Sequence, residues 1–228
     1  MLVVCEGIDG AGKSTVARLV FDRLLTCAPG ASYRTKRDLP VADAYGRDRL
    51  ERLRDLIWHD NEGHRDPFGA PFWIQLLSAW YTALEPSADA GTRHELRVYD
   101  GWFYRNIVKT RLRSGVDEEW IRGLFRFVAV PDAVVLIDVD PAVAWQRTTR
   151  WKATELGRWD GRDGDPREAF CAYQSEIRAG LLAMAAHDRW CVVSPPPMET
   201  PDQVADRVAG ACLAALPGIA VAGAGGSA

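Results

Sequence analysis

The chain has 228 residues, 47% hydrophobic and 26% charged, proportions of a folded globule that argue against wholesale disorder. A net charge of −3 excludes the global basic field that duplex nucleic acid attracts, while leaving room for a local basic cleft. No apolar run approaches the roughly 18–20 residues that span a bilayer, so no membrane partner is expected.

Residues 1–6 lack the basic start and small-residue cleavage site of a signal peptide. The five cysteines (Cys5, Cys27, Cys171, Cys191, Cys212) are odd in number and contain no Cys-x-x-Cys pair. Reduced thiols in a cytoplasm are the expectation, with Cys5 a small core hydrophobe.

The first element is a buried strand over residues 2–5, short and valine-rich. A glycine-rich turn follows, then a helix over 14–25 in which Val16, Leu19, Val20, Phe21, Leu24 and Leu25 fall at helical spacing. Residues 31–36 are a weakly marked second strand. Residues 48–58 form a helix striped by Leu50, Leu53, Leu56 and Ile57, and 59–67 a loop. Its His59, Asp60, Glu62, His64 and Asp66 are metal-ligand types, but the spacing fits no zinc motif and a solvated loop is expected. A helix over 72–84 and a strand over 96–100 come next. The clearest strand is 134–139, apolar without alternation, as a parallel sheet covered on both faces requires. Asp140-Pro141 opens a further helix. Residues 147–165 are basic and glycine-punctuated. A helix over 169–186, a strand over 190–193 and a helix capped at Thr200 and running to about 216 complete the pattern. Strands alternating with helices give one parallel-sheet α/β domain over 1–216, with a flexible Gly/Ala-rich tail over 217–228.

Gly7-Ile8-Asp9-Gly10-Ala11-Gly12-Lys13-Ser14 matches G-x-x-x-x-G-K-[ST] and sits between a strand and a helix, where that motif needs to be. Gly7, Gly10, Ala11 and Gly12 let backbone amides wrap a triphosphate, at the positive end of the following helix. Lys13 reaches the β- and γ-phosphates, Ser14 Oγ binds Mg²⁺, and Thr15 extends the ATP-binding set.

Residues 6–15 closely resemble the opening of the thymidylate kinases. The likeness continues through Val98-Tyr99-Asp100-Gly101-Trp102-Phe103-Tyr104-Arg105, similar to that family's strand ending in Asp-Arg-Tyr/His, and through Pro131-Asp132 with the long strand after it. It covers about nine tenths of the chain. The resemblance implies a P-loop NTPase three-layer α/β/α sandwich with a five-stranded parallel sheet, flanking helices and a short lid over about 147–165. It also implies ATP and Mg²⁺ as cosubstrate and metal, a nucleotide-type acceptor, a homodimer, and Asp9 on the acceptor sugar. The phosphate loop has no variable-position arginine, and relatives of that kind take their catalytic positive charge from the lid. Here the lid offers Arg147 and Arg150 for catalysis and Arg158 for ATP, as well as Lys152.

Three departures stand out. Gly101 occupies the place of the family's arginine, and Arg105 can reach the same space if the chain after Asp100 turns helical. Arg37-Asp38-Leu39-Pro40 replaces the usual segment after the second strand, leaving Arg37 as an acceptor-binding candidate. The helix that normally gives an arginine to thymine contains none; Gln75, Trp80 and Trp102 are candidates to line the acceptor pocket instead, although Trp73 and Trp80, seven apart, also fit a core stripe. Trp151 and Trp159 fall in the lid, to cover a ring or to pack.

Asp100, at the carboxyl end of a strand, holds Mg²⁺ or positions substrate, since a phosphate acceptor is already anionic and needs no base, and it acts as base if the acceptor is a hydroxyl. Asp38 is a weaker carboxylate candidate, while Asp138 and Asp140 read as structural. The expected activity is transfer of the ATP γ-phosphate to a nucleoside monophosphate, dTMP or an unusual nucleotide. The alternatives are a small-molecule kinase with a hydroxyl acceptor, and an ATP-binding regulatory protein without transfer activity.

Overall fold

Five short strands lie side by side because valine-rich segments bury both faces at once. The computed structural model describes residues 1–39, 43–58, 66–85 and 95–216. The tail expected over 217–228, and His59, Asp60, Glu62 and His64 of the ligand-type loop, lie outside the described residues.

The elements run β1 (Leu2–Glu6), α1 (Lys13–Leu24), β2 (Ser32–Thr35), α2 (Ala44–Trp58), α3 (Ala70–Leu84), β3 (Arg97–Asp100), α4 (Tyr104–Ser114), α5 (Glu118–Leu124), β4 (Ala133–Ile137), α6 (Pro141–Trp145), α7 (Pro166–Asp188), β5 (Cys191–Val193) and α8 (Pro201–Ala215). The sheet is parallel throughout, in the order β2-β3-β1-β4-β5. The expected five-stranded parallel α/β fold is therefore the observed one. Helices α1 and α8 pack on each other and against the sheet, while α7 packs on β4 and on α4, which meets α3. Every residue of β1 and β4 is buried. Each fully buried valine or leucine there contributes roughly 1.5–3 kcal/mol.

Caps fix where the helices begin. Asp140 accepts from the Ala142 amide at 2.8 Å to start α6, and Thr200 with Gln203 makes a reciprocal capping box on α8. Asp138, just past β4, is held by Arg178 at 2.5 and 2.8 Å and by Ser194, tying that strand end to α7 and β5. All five cysteines are free, and Cys5 is fully buried. No helix among the described residues is long and apolar enough to cross a membrane.

Strand β1 sits between β3 and β4, so connections leave it in both directions. A crevice opens there, above the carboxyl ends of the strands, where open parallel sheets bind ligands. The register sets Cys5 and Thr35 opposite Asp100 and Glu6 opposite Leu136, delivering the ends of β1, β2 and β3 to that crevice at one level.

Candidate active site

Two adjoining cavities occupy the crevice, of about 850 and 270 Å³. Asp9, Lys36, Arg37, Arg105 and Glu155 line both, so they form the wall between them.

The phosphate loop floors the larger cavity. Gly10, Ala11, Gly12, Lys13, Ser14 and Thr15 all line it, at the start of α1. Gly7 lies beneath: a Cβ there would come within 2.8 Å of the Ile137 carbonyl, so only glycine lets the loop pass this close to β4. The Lys13 ammonium curls onto the Ile8 carbonyl at 2.6 Å, and burial together with Arg105 lowers its pKa to about 8. Arg147 donates to the carbonyls of Ala11 at 2.8 Å and Gly10 at 3.4 Å, which brings a lid guanidinium to the loop's edge. Asp100 and Gly101 line the same space. The far end is formed by Thr148, Pro195, Pro197 and Glu199.

Glu6 cross-links the site from below. It is 1% exposed and accepts from the amides of Gly7 at 3.3 Å and Trp102 at 2.7 Å. Burial raises its pKa, against the pull of Arg105 and Lys13. It joins the start of the phosphate loop to the chain leaving β3.

The smaller cavity is built from side chains on separate elements. One wall is the α3 stripe Ala70, Trp73, Ile74 and Leu77, at helical spacing, with Ile57 and Trp58 of α2. The opposite wall is α4, presenting Arg105, Asn106, Lys109, Thr110 and Arg113. The segment after Asp100 does turn helical. Arg105 reaches the Asp9 carboxylate at 2.6 Å and Lys109, one turn on, reaches it at 3.1 Å. Gln174 donates to Asp9 at 3.3 Å and to the Glu155 carbonyl at 2.8 Å, and accepts from the Asp9 amide. Burial pushes the Asp9 carboxyl up, but Arg105, Lys109, Lys13 and Lys36 together hold it well below the usual range. Arg113 bridges Asp66 at 2.7 Å and Asp160 at 2.8 Å, and Asp66 also accepts from the Trp73 indole at 2.9 Å.

Lys13, Ser14, Thr15, Asp9, Arg37, Asp100, Arg105 and Arg147 are thus brought together as expected. Five expected residues are not. Trp80 lies on the cavity-facing stripe of α3 but one turn past the cavity, where Trp58 crosses it; it is 1% exposed. Trp102 turns into the core against Tyr81 and Tyr99. Gln75 is exposed, a helical step off the stripe, and folds onto the Pro71 carbonyl. Arg150 is exposed and lines neither cavity. Arg158 points to its own turn, donating to the carbonyls of Arg162 at 2.7 Å and Gly164 at 2.8 Å. Of the lid tryptophans, Trp159 faces the smaller cavity, while Trp151 packs between Trp145 and Phe170. Asp38 closes a turn, accepting from the Thr35 amide and hydroxyl at 2.6 and 3.0 Å.

Sequence reasoning missed Lys36, Asn106, Lys109, Arg113, Glu155, Asp160 and Gln174. Signals existed for two of them: Lys109 is four residues after Arg105 on one helix face, and Lys36 follows a parallel strand's carboxyl end.

No protein-family model matches the chain. The chain is similar to the thymidylate kinase of Solidesulfovibrio magneticus, 29% identical over 219 residues covering 92% of this chain and 97% of the relative. It is 26% identical over 192 residues to the thymidylate kinase of Chlamydia caviae, covering 81% and 84% of the two. It is 24% identical over 146 residues to the probable thymidylate kinase of Sulfolobus acidocaldarius, covering 64% and 68%.

Proposed function

The chain belongs to the thymidylate kinase family, and on that footing we propose that it moves the γ-phosphoryl group of ATP onto the phosphate of thymidine monophosphate. The observation that carries this reading is the shared wall: a phosphate-loop cavity and a nucleoside-sized cavity meet at Asp9, Lys36, Arg37, Arg105 and Glu155. Two phosphate groups entering from opposite sides meet there among cations.

The triphosphate lies along the phosphate loop, its terminal group held by Lys13, which leaves the Ile8 carbonyl for it. An acceptor phosphate oxygen bonds to the γ-phosphorus as the bond to the β,γ-bridging oxygen breaks, and ADP departs. Charge spreads over the transferring oxygens, and Arg147, already at the loop edge, neutralises part of it. Ser14 Oγ and the Asp100 carboxylate are hard oxygen donors lining the same cavity and would hold Mg²⁺. Such an ion would supply positive charge against the phosphates. No base is required, because the acceptor oxygen is already charged near neutral pH.

Arg105 takes over from the arginine absent at Gly101. The backbone explains the exchange: Gly101 has φ +79°, where a side chain is strained, and Arg105 enters the space from the first turn of α4. The half-buried amide of Asn106 supplies a donor and an acceptor to a base edge, with Trp73 and Leu77 as apolar walls. Of the two carboxylates that could serve a hydroxyl acceptor as base, Asp38 is committed to Thr35, which leaves Asp100.

The test is an acceptor panel with Mg·ATP, products separated chromatographically. Thymidine monophosphate should yield the diphosphate, with little turnover of thymidine. Turnover of nucleosides alone, or ATP binding with no acceptor used, would replace this reading.

A further inference from the structure

We propose that Trp151 is a positioning residue for the transfer: its ring pins the lid to the phosphate loop at Gly10 and so sets Arg147 against the terminal phosphate of ATP. The inference rests on the kinase reading above and deepens it by naming what holds the lid cation where charge develops.

The chain makes a closed excursion at this point. Trp145 ends α6, and the Arg147 amide donates to the Ala144 carbonyl at 3.1 Å, so the backbone is still turning when it reaches the cavity. Thr148 then closes a turn, its hydroxyl accepting from the Arg150 amide at 3.3 Å. Trp151 brings the chain back. Its ring stacks on Trp145, with centroids 5.6 Å apart and planes 12° apart, and packs on the fully buried Phe170 of α7 at 4.1 Å. Arg147 and Thr148 are the tip of a loop that two tryptophans clasp at its base, and both line the larger cavity.

Tip and base grip the same stretch of the phosphate loop. The Arg147 guanidinium donates to the Gly10 and Ala11 carbonyls at 3.4 and 2.8 Å. The Trp151 ring reaches Gly10 itself: a Cβ added there would fall 2.7 Å from Trp151 Cη2. The far edge of the indole therefore occupies the space that a side chain at position 10 would take. A ring against Gly10 and a guanidinium on its carbonyl fix the lid to the loop at two points, which preorganises the cation before the phosphates react. Arg150, on the outer side of the same excursion, lines neither cavity.

The indole nitrogen shows that reach, and not stability alone, selects this ring. Among the described residues, Trp151 Nε1 is buried without a hydrogen-bond partner. An unpaired buried N–H weakens a fold, and phenylalanine would fill much of the same sandwich without one. Phenylalanine is shorter, however, and gives up the edge that touches Gly10. The far half of the lid is tethered on the acceptor side, where Gln174 donates to the Glu155 carbonyl at 2.8 Å and Lys109 to the Thr154 carbonyl at 3.4 Å. Trp151 is the lid's apolar link to the donor side.

The experiment separates positioning from packing. Trp151→Phe should melt within about 3 °C of the wild type, because losing the unpaired N–H offsets losing ring contacts, yet it should lower the single-turnover rate about threefold to tenfold. Trp151→Leu should lower that rate about 10-fold to 30-fold, while the ATP Kd by calorimetry moves less than about threefold. In the Arg147→Ala background, Trp151→Leu should cost less than about twofold more, since both changes remove one interaction. Should Trp151→Leu fail to fold, the same cycle is run with Trp151→Phe. A further readout needs no turnover. In protein carrying 5-fluorotryptophan, the fluorine resonance missing from Trp151→Phe should shift when Mg·ATP is added. Losses that multiply in the double variant overturn the pin. So does an ATP Kd that weakens as much as the rate falls, or a fluorine signal that Mg·ATP leaves in place. Turnover of nucleosides alone, with the coupling of Trp151 to Arg147 intact on that acceptor, would instead overturn the kinase reading and leave the pin standing.

Discussion

The two cavities are made differently. The donor side is one continuous stretch of backbone, residues 7–15, whose shape follows from glycines at the turn between β1 and α1. The acceptor side is a convergence of side chains from α2, α3, α4, α7, the end of β2 and the lid, with no two adjacent elements sufficient to define it. A triphosphate tail is the same in every nucleotide, so a fixed backbone cradle suits it. An acceptor varies, and a wall of independent side chains can be exchanged piece by piece, as the proposed exchange between Gly101 and Arg105 would require.

The sharpest break of that comparison is Lys13→Ala. It should lower kcat by about 10³-fold or more with the fold intact by circular dichroism, because no other cation reaches the loop interior from its own backbone. Retained turnover would mean the cradle is not the donor site. Arg105→Met comes next and should raise the acceptor KM about 100-fold while the ATP KM changes less than about threefold. In the background of Arg105→Ser, adding Gly101→Arg should not restore affinity, since its backbone conformation is costly for any side chain by about 1–2 kcal/mol. Restoration would show that the two positions are equivalent after all. Arg147→Ala should lower kcat about tenfold to 100-fold and weaken ATP less, whereas Arg150→Ala should change kcat less than about threefold; single-turnover rates separate them. Equal losses would return Arg150 to the reacting centre.

The smallest effect concerns stability. The Lys36 amine, its pKa brought by burial and Arg105 to about 7 folded against about 10.5 unfolded, weakens the fold while it is charged. That cost is complete below about pH 7, shrinks as pH rises, and is gone above the unfolded value. Lys36→Met should therefore melt about 2–4 °C above the wild type at pH 6, with the gap narrowing toward pH 9. A gap that widens with pH would show the sign to be wrong.

The donor side is legible in the sequence because the motif and its flanking strand and helix are contiguous. Strand positions were equally plain: Val134 to Ile137 and Leu2 to Cys5 are apolar without alternation and lie buried on both faces. The acceptor side resisted because residue type and spacing do not reveal which face a tertiary neighbour covers. Trp73 and Trp80 are seven apart on α3, yet one lines the cavity and the other lies under Trp58. Arg158 carried a charge suited to ATP, but a glycine-rich turn offered it nearer carbonyls.

One ligand tests the central claim directly, adenosine and thymidine joined 5′ to 5′ by a polyphosphate bridge long enough to span both cavities. Calorimetry should give one molecule per chain, binding far tighter than ATP or thymidine monophosphate alone and excluded by either at saturation. A conjugate that ATP displaces but thymidine monophosphate does not would contradict the account, because the two cavities would then not be halves of one reaction site.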